Sequence, residues 1–388
     1  MFRGFKYNQL IINEDVVHVF LKRTRKTVTC PKCGKRNKLS GEQYKRTLRD
    51  LDLANKKCFI TYFEEKLNCK CGFRGYERLN FVRPYSHCTI RFEQSVYKLC
   101  EKMTIKDASE IADLNWKTVK DIDIFYISQQ LEKIENLQPI RIGIDEIAYE
   151  KGHKYLTTIR DLDLNSVIWV GLNRKKETLD EFFNEIGEEK QSFIKLIVVD
   201  MWDPYIASIR EHCPQCNIVF DKFHIVKKAN EAVDEIRKQE FAQASDQERK
   251  DMKHKRFIML KRNKNLTDKQ RESLYHLMKN NEKLYKSYLL KEQLSDIFDE
   301  INLLTAMKRL YEWIMNVIDS NITPFKKLIK MIFRYFYGIR NYFLYRVTNA
   351  GSEGFNTKIN VVKRRAYGFW DMKYFIMKIF QTCGVMRL

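Results

Sequence analysis

Two short apolar runs, each ending in an acid, restrict the fold of this chain more than any other feature. The first is Ile140-Arg141-Ile142-Gly143-Ile144-Asp145-Glu146, and the second is Leu196-Ile197-Val198-Val199-Asp200. Runs this short and this rich in β-branched residues read as strands buried on both faces. Further strands are expected at Lys154–Asp161, Ser166–Leu172 and Asn217–Phe220, with the second acidic run starting as early as Phe193. Helices are expected at about 176–187 and 203–212. The order strand, strand, strand, helix, strand, helix, strand describes an α/β layer. In such a layer, carboxylates at strand ends gather in a crevice beside the sheet. Either aspartate alone reads equally well as a helix cap or a surface acid. Together they call for cationic compensation, which hard oxygen ligands obtain from a divalent ion. Two Mg²⁺ (or Mn²⁺) ions held in this way support phosphodiester chemistry.

The rest of the composition points toward a polyanion. The chain has 388 residues, 44% of them hydrophobic, so it has enough material for more than one core. Lysine and arginine outnumber aspartate and glutamate by 71 to 50, a formal charge of +21. A nucleic-acid partner accounts for that surplus better than a lysine-rich codon bias does. The first ten residues hold no apolar run, so no secretory leader is expected. The late apolar stretch Phe325 to Tyr345 is interrupted by Lys326, Lys327, Lys330, Arg334 and Arg340, which excludes a membrane span. Ten cysteines without a secretory context imply reduced thiols in a cytoplasmic protein, with clustered ones binding metal.

Those clusters lie near the amino terminus, among the β-rich runs Val16 to Leu21 and Cys58 to Phe63. Cys30-Pro31-Lys32-Cys33-Gly34 and Cys69-Lys70-Cys71-Gly72 place four thiolates on two turns, the donor set of a closed structural Zn²⁺ site in a zinc ribbon. The second pair is tighter than usual, which leaves Cys58 and Cys88 open as substitutes. Cys213-Pro214-Gln215-Cys216 has no second pair nearby and reads as a turn. From about 90 to 135 the pattern becomes helical, and Thr104 to Val119 has the layout of a helix-turn-helix. Thr104 and Asn115 cap its two helices, Ala108 allows close approach, Leu114 fills the turn, and Val119 and Ile122 face the core. Asn115, Trp116, Lys117, Thr118 and Lys120 are then the residues directed toward DNA.

Beyond Phe220 the chain reads as helical and lysine-rich to about 346. The turn Asn349-Ala350-Gly351-Ser352 then opens a last helix carrying Glu353 and the basic residues Lys358, Lys363, Arg364 and Arg365. Spacing alone does not select Glu353 as a third acid. The sequence does, however, resemble the ISL3 group of insertion-sequence transposases along nearly its whole length. The resemblance rests on the cysteine ribbon, the helix-turn-helix and three motifs. The motifs are Gly143 to Glu146, Val199 to Tyr205 leading to Phe220-Asp221-Lys222-Phe223-His224, and Thr348 to Asn356 leading to Lys363 to Phe369. It departs from the group's pattern at the Cys69/Cys71 pair and at Ala350, where glycine is more typical.

That resemblance implies an RNase H-like DDE core with Asp145, Asp200 and Glu353 as the Mg²⁺-binding catalytic triad. It also implies a large all-α insertion between the second and third acids. The expected division is a zinc ribbon at 1–85, a helix-turn-helix at 86–135, core at 136–222, insertion at 223–346 and the last core helix at 347–388. His224 is a possible auxiliary residue, though a hydrogen-bonded structural role fits it as well. Glu146 is expected to point to the other face of its strand, and Asp203 to cap a helix. The basic residues from Lys253 to Lys264 are candidates to track phosphates. The function implied is that of a bacterial, nucleoid-associated transposase. It would bind terminal inverted repeats as a homodimer or larger assembly, cut them and transfer strands to target DNA. A catalytically silent DNA-binding regulator is the alternative. A nuclease of the same core fold has no need of a sequence-reading amino-terminal third.

Overall fold

A computed structural model describes residues 2–134, 137–150, 152–349, 351–366 and 368–384. Ala350 and Tyr367, both within motifs named above, lie outside the described residues. The chain divides into two compact units, Met1–Gln130 and Leu131–Leu388.

The first unit is built on β1 (Phe5–Ile12), β2 (Val16–Arg23), β3 (Thr27–Thr29), β4 (Arg36–Lys38), β5 (Gln43–Leu53), β6 (Lys56–Asn68) and β7 (Arg74–Tyr76). β1, β2, β6 and β5 lie side by side in that order, and β7 adds to β6. The β2–β6 pair is parallel and the others are antiparallel. Ala54 and Asn55 join β5 to β6 with φ of 50° and 63°, the two left-handed residues that a tight hairpin requires. β3 and β4 form a separate small hairpin. Leu21, Leu48, Ile60, Tyr62, Phe81 and Val82 make the core. Helices α1 (Ile90–Lys102), α2 (Ile105–Ala112) and α3 (Trp116–Ile134) follow. The strands therefore begin earlier than the expected residue 16. β1 is an edge strand exposed along nearly all its length, so it carries no burial pattern to reveal it.

The second unit contains β8 (Arg141–Glu150), β9 (Lys154–Asp161), β10 (Ser166–Leu172), α4 (Lys176–Phe193), β11 (Leu196–Val199), α5 (Asp203–His212) and β12 (Asn217–Phe220). The sheet order is β10-β9-β8-β11-β12. β8 to β10 form an antiparallel meander, while β11 runs parallel to both β8 and β12. The expected end of α4 near 187 corresponds to a real break, because Gly187 is non-helical at φ 76°. The helix then resumes, so Phe193 closes α4 and the strand starts only at Leu196. After β12 come α6 (Lys222–Gln243), α7 (Asp246–Met252), α8 (Arg256–Leu260), α9 (Asp268–Lys279), α10 (Glu282–Asp299), α11 (Leu303–Ser320), α12 (Thr323–Arg334) and α13 (Phe336–Tyr345). The last helices are α14 (Gly351–Arg365) and α15 (Met372–Cys383). Ile142, Ile144 and Ile159 share a core with α4, α5 and the helices of 222–345. Ile147, Leu156, Val167 and Val170 pack instead with Phe355 and Ile359 of α14 and Phe375 and Ile379 of α15. That packing brings the start of α14 to β8.

Candidate functional site

The strand register explains why the acids meet. Leu196, Ile197 and Val198 pair in parallel with Arg141, Ile142 and Gly143, and continuing that register places Asp200 beside Asp145. In the same way Val199 pairs with Phe220, so Asp221 follows next to Asp200. Apolar side chains fix the strands; Asp200 and Asp221 are the first residues past the β11–β12 pairing, whereas Asp145 lies within β8, paired with Thr158 of β9.

Asp145 lines a cleft of about 680 Å³ together with Asp221, His224, Asn349, Ser352, Glu353 and Asn356. Asn356 donates to Asp145 Oδ2 at 2.9 Å, and the Glu146 amide donates to Oδ1 at 2.8 Å. Burial, reinforced by the charge of Asp200, raises the Asp145 carboxyl above its ordinary range. His224 Nε2 lies 2.7 Å from Asp200 Oδ1. Burial disfavours a charged His224 ring, but the Asp200 hydrogen bond and the surrounding aspartates outweigh it and raise its pKa. Glu353 is exposed in the first turn of α14.

Asn349 ties these elements together. Its side-chain amide donates to the Ile144 carbonyl at 3.1 Å, its backbone amide donates to Asp221 Oδ2 at 2.7 Å, and its Oδ1 accepts from Arg160 at 2.6 Å. Asp221 Oδ1 meanwhile caps α6 through the Phe223 amide at 2.9 Å. Arg160 is buried and lies 4.8 Å from the Phe355 ring centroid, and the charges of Asp145 and Asp221 act on it. The approach is close enough to require glycine at 143, where a Cβ would meet Asn349 Oδ1 at 2.5 Å. Glu146 faces Arg174 at 3.2 Å. Burial lifts its carboxyl to about 7 even though Arg174 opposes the shift.

A separate cluster lies in the amino-terminal unit. The sulfurs of Cys30, Cys33, Cys69 and Cys71 all fall within 4.8 Å of one another. Cys30 to Cys71 is 3.7 Å and Cys33 to Cys69 is 3.6 Å. A tetrahedral Zn²⁺ with bonds of about 2.3 Å has sulfur–sulfur edges of about 3.8 Å, so the donor set fits a structural Zn²⁺. A backbone hydrogen bond at Cys71 is the main cause that draws the Cys69 thiol down to about 6. Cys58 and Cys88 are buried elsewhere, and burial raises both. Among the described residues this quartet is the one group of three or more metal-ligating side chains so closely gathered. The ligand atoms of Asp145, Asp200 and Glu353 are not gathered to that degree.

In the bihelix, Thr104 caps α2 by accepting from the Asp107 amide at 3.1 Å. Asp113 takes the left-handed conformation at φ 50° that turns the chain. Asn115 accepts from the Lys117 amide at 2.9 Å. Ala108, Val119 and Ile122 are buried. Asn115, Trp116 and Lys117 are exposed, whereas Thr118 and Lys120 are half-buried.

A family model described as a transposase, the ISL3 DDE domain, matches residues 142–379. The chain belongs to the ISL3 family of transposases. A second model, the helix-turn-helix domain of transposase family ISL3, matches 77–127. A third, the zinc finger of the IS204, IS1001, IS1096 and IS1165 transposases, matches 26–71. The transposase is 29% identical over 365 residues to that of insertion sequence element IS1001 from Bordetella parapertussis, covering 93% of this chain and 90% of the relative. It is 26% identical over 348 residues to the IS1557 transposase of Mycobacterium tuberculosis, covering 84% and 78%. The helix-turn-helix and transposase matches together indicate DNA binding. Among the described residues no helix is long and apolar enough to cross a membrane.

The other residues singled out in the transposase sequence have varied surroundings. Lys358, Arg364 and Arg365 of α14 are exposed, but Lys363 is half-buried and donates to the Ala148 carbonyl at 3.3 Å. Asp203 is the first residue of α5 and binds Arg334 and Tyr335. Cys213 and Cys216 form a turn, with the Cys216 amide donating to the Cys213 carbonyl at 3.1 Å. Arg262 and Lys264 pair with Asp299, and Arg256 pairs with Asp234. Sequence reasoning gave no role to Arg160, Asn349 or Asn356. The one available signal was that both asparagines fall inside the motif around Glu353.

Proposed function

We propose that this transposase binds the terminal inverted repeats of its element and performs Mg²⁺-dependent strand cleavage and strand transfer. In this reading the second unit is an RNase H-like core, a view supported by the β10-β9-β8-β11-β12 order with its antiparallel meander. The all-α stretch after β12 is its insertion. The observation that carries the proposal is the strand register that sets Asp145 beside Asp200, with Glu353 lining the cleft that Asp145 lines.

Asp145, Asp200 and Glu353 would hold two Mg²⁺ or Mn²⁺ ions. The fit rests on hard carboxylate donors in a site where burial, with the charge of Asp200 added, raises Asp145, a site in want of positive charge. Divalent ions supply Lewis acidity there, activating an attacking oxygen and offsetting charge on a scissile phosphate. Asn356 and the Glu146 amide orient the Asp145 carboxylate, and His224 holds Asp200 in one rotamer. Asn115, Trp116, Lys117, Thr118 and Lys120 face terminal-repeat DNA, while Lys358, Arg364 and Arg365 meet DNA near the acids and Lys363, bound to the Ala148 carbonyl, holds α14 to β8. Cys30, Cys33, Cys69 and Cys71 hold a structural Zn²⁺ that shapes the DNA-binding end. The protein acts in the bacterial cytoplasm, at the nucleoid, as a homodimer or larger assembly.

A marked element flanked by its terminal repeats, supplied in cells with the transposase in trans, tests this reading. Wild type is expected to mobilise the marker, whereas Asp145→Ala, Asp200→Ala and Glu353→Ala bind the repeats without mobilising it. Mobilisation by any of the three variants would contradict the proposal. Repeat binding by wild type without mobilisation would favour a regulator.

A further inference from the structure

Helix α11 has two apolar faces. Ala306, Leu310, Trp313 and Val317 are buried, and the Trp313 indole donates to the Leu290 carbonyl at 2.8 Å. That face anchors the helix in the all-α stretch. The second face points outward. Leu304 is 79% exposed, Tyr311 65%, Ile318 48% and Met315 41%, while Met307 and Ile314 are partly buried beside them. At about 100° per residue, these six side chains form one stripe along the helix. Its apolar positions follow heptad spacing, with Leu304, Tyr311 and Ile318 in one register and Met307 and Ile314 in the other. Isolated exposed apolar residues need no explanation, but a continuous stripe of this kind marks an interaction surface.

The arrangement of the stripe indicates its occupant. Five of its six members are symmetric about Tyr311: Leu304 and Ile318 lie seven residues to either side, and Met307 and Met315 lie four to either side, while Ile314 has Lys308 as its counterpart. An antiparallel copy of the same helix therefore sets leucine against isoleucine, methionine against methionine and tyrosine against tyrosine. That self-complementarity is the requirement of a two-fold contact. Charge agrees with it. Lys308 and Glu312 border the stripe on its solvent side, and the antiparallel alignment brings each Lys308 within reach of the Glu312 of the other copy.

We propose that a second copy of this chain docks here, two α11 helices packing antiparallel about an axis through Tyr311. The inference rests on the homodimer proposed above and gives that assembly its surface, independently of the chemistry. A transposase that assembled through another surface would still cut DNA. A single pair of 18-residue helices is a small contact beside the roughly 1,200–2,000 Å² of stable interfaces, so the dimer is reversible in solution.

Sedimentation equilibrium of the full chain, free of DNA, tests the proposal. Wild type is expected to show a monomer–dimer equilibrium. Tyr311→Asp, and independently Leu304→Asp, should weaken it by roughly tenfold or more with an unchanged thermal melt, since both side chains are exposed. Lys308→Glu should weaken it as well, and adding Glu312→Lys to that variant should restore it. Wild type sedimenting only as a monomer would overturn the proposal and leave the stripe to a different partner. So would a folded Leu304→Asp or Tyr311→Asp protein that associates as wild type does.

Discussion

Asn349 shows how much of the candidate site depends on one side chain whose role cannot be read locally. Its partners Ile144 and Arg160 are 205 and 189 residues away in the chain, and only the folded sheet brings them within reach. Asp145 and Asp200 were legible because each ends its own apolar run, a pattern contained in a few consecutive residues. Replacing Asn349 with alanine removes the acceptor for a buried arginine and the tie between β8 and α14. Asn349→Ala should lose about 2–4 kcal/mol in urea unfolding. Unfolding at the wild-type midpoint would show that the clasp contributes nothing. A second residue-level expectation concerns Asp299. Burial opposes its charge, but Arg262 and Lys264 outweigh burial and hold its carboxyl down at about 2. Its folded pKa lies below the unfolded value of about 3.9, so its stabilisation is complete above pH 4 and is lost as pH falls toward 2. Thermal melts should show Asp299→Asn less stable than wild type at pH 6, with the gap closing between pH 4 and pH 2. A gap that stays constant across that window would rule out the charge as its source.

Elements whose ends carry their own instructions were the easiest to read. α2 and α3 are capped by Thr104 and Asn115, and both caps bond within three residues of themselves. β1 was not legible, because it is held by backbone pairing to β2 and buries little. The kinked α4 was legible only to Gly187, because that glycine's non-helical conformation interrupts the helix, which then resumes to Phe193 with Gln191 donating to the Phe183 carbonyl across the kink. The cysteine cluster joins the β3–β4 hairpin to the turn between β6 and β7, while the larger amino-terminal sheet has an apolar core of its own. Chelating the metal should therefore strip hydrogen-exchange protection from about 26–40 and 66–76 and leave 140–345 unchanged. Equal loss of protection across both units would contradict a local structural role. At the exposed start of α3, Lys117→Ala should reduce the salt slope of repeat binding by roughly one without altering the melt. An unchanged slope would remove Lys117 from the phosphate contacts.

At the scale of the whole molecule, the charge of +21 is not spread as a simple cationic coat. Arg256, Arg262 and Lys264 pair with acids in the all-α stretch, and Lys363 is spent on a backbone carbonyl. The composition therefore announced the class of partner without locating the surface that meets it, because pairing is decided by the fold. Trp116 and Lys117 in one unit and Lys358 and Arg364 in the other remain exposed. In the proposed function, recognition falls to the amino-terminal end and chemistry to the acids of the sheet. The most direct measurement is strand cleavage by the purified full chain. A labelled duplex carrying one element end is incubated with Mg²⁺ or Mn²⁺ and wild type, Asp145→Ala, Asp200→Ala or Glu353→Ala. The account predicts a cut at the element boundary by wild type alone, with all four proteins binding the duplex. Cleavage by any one of the three variants at the wild-type rate would contradict it.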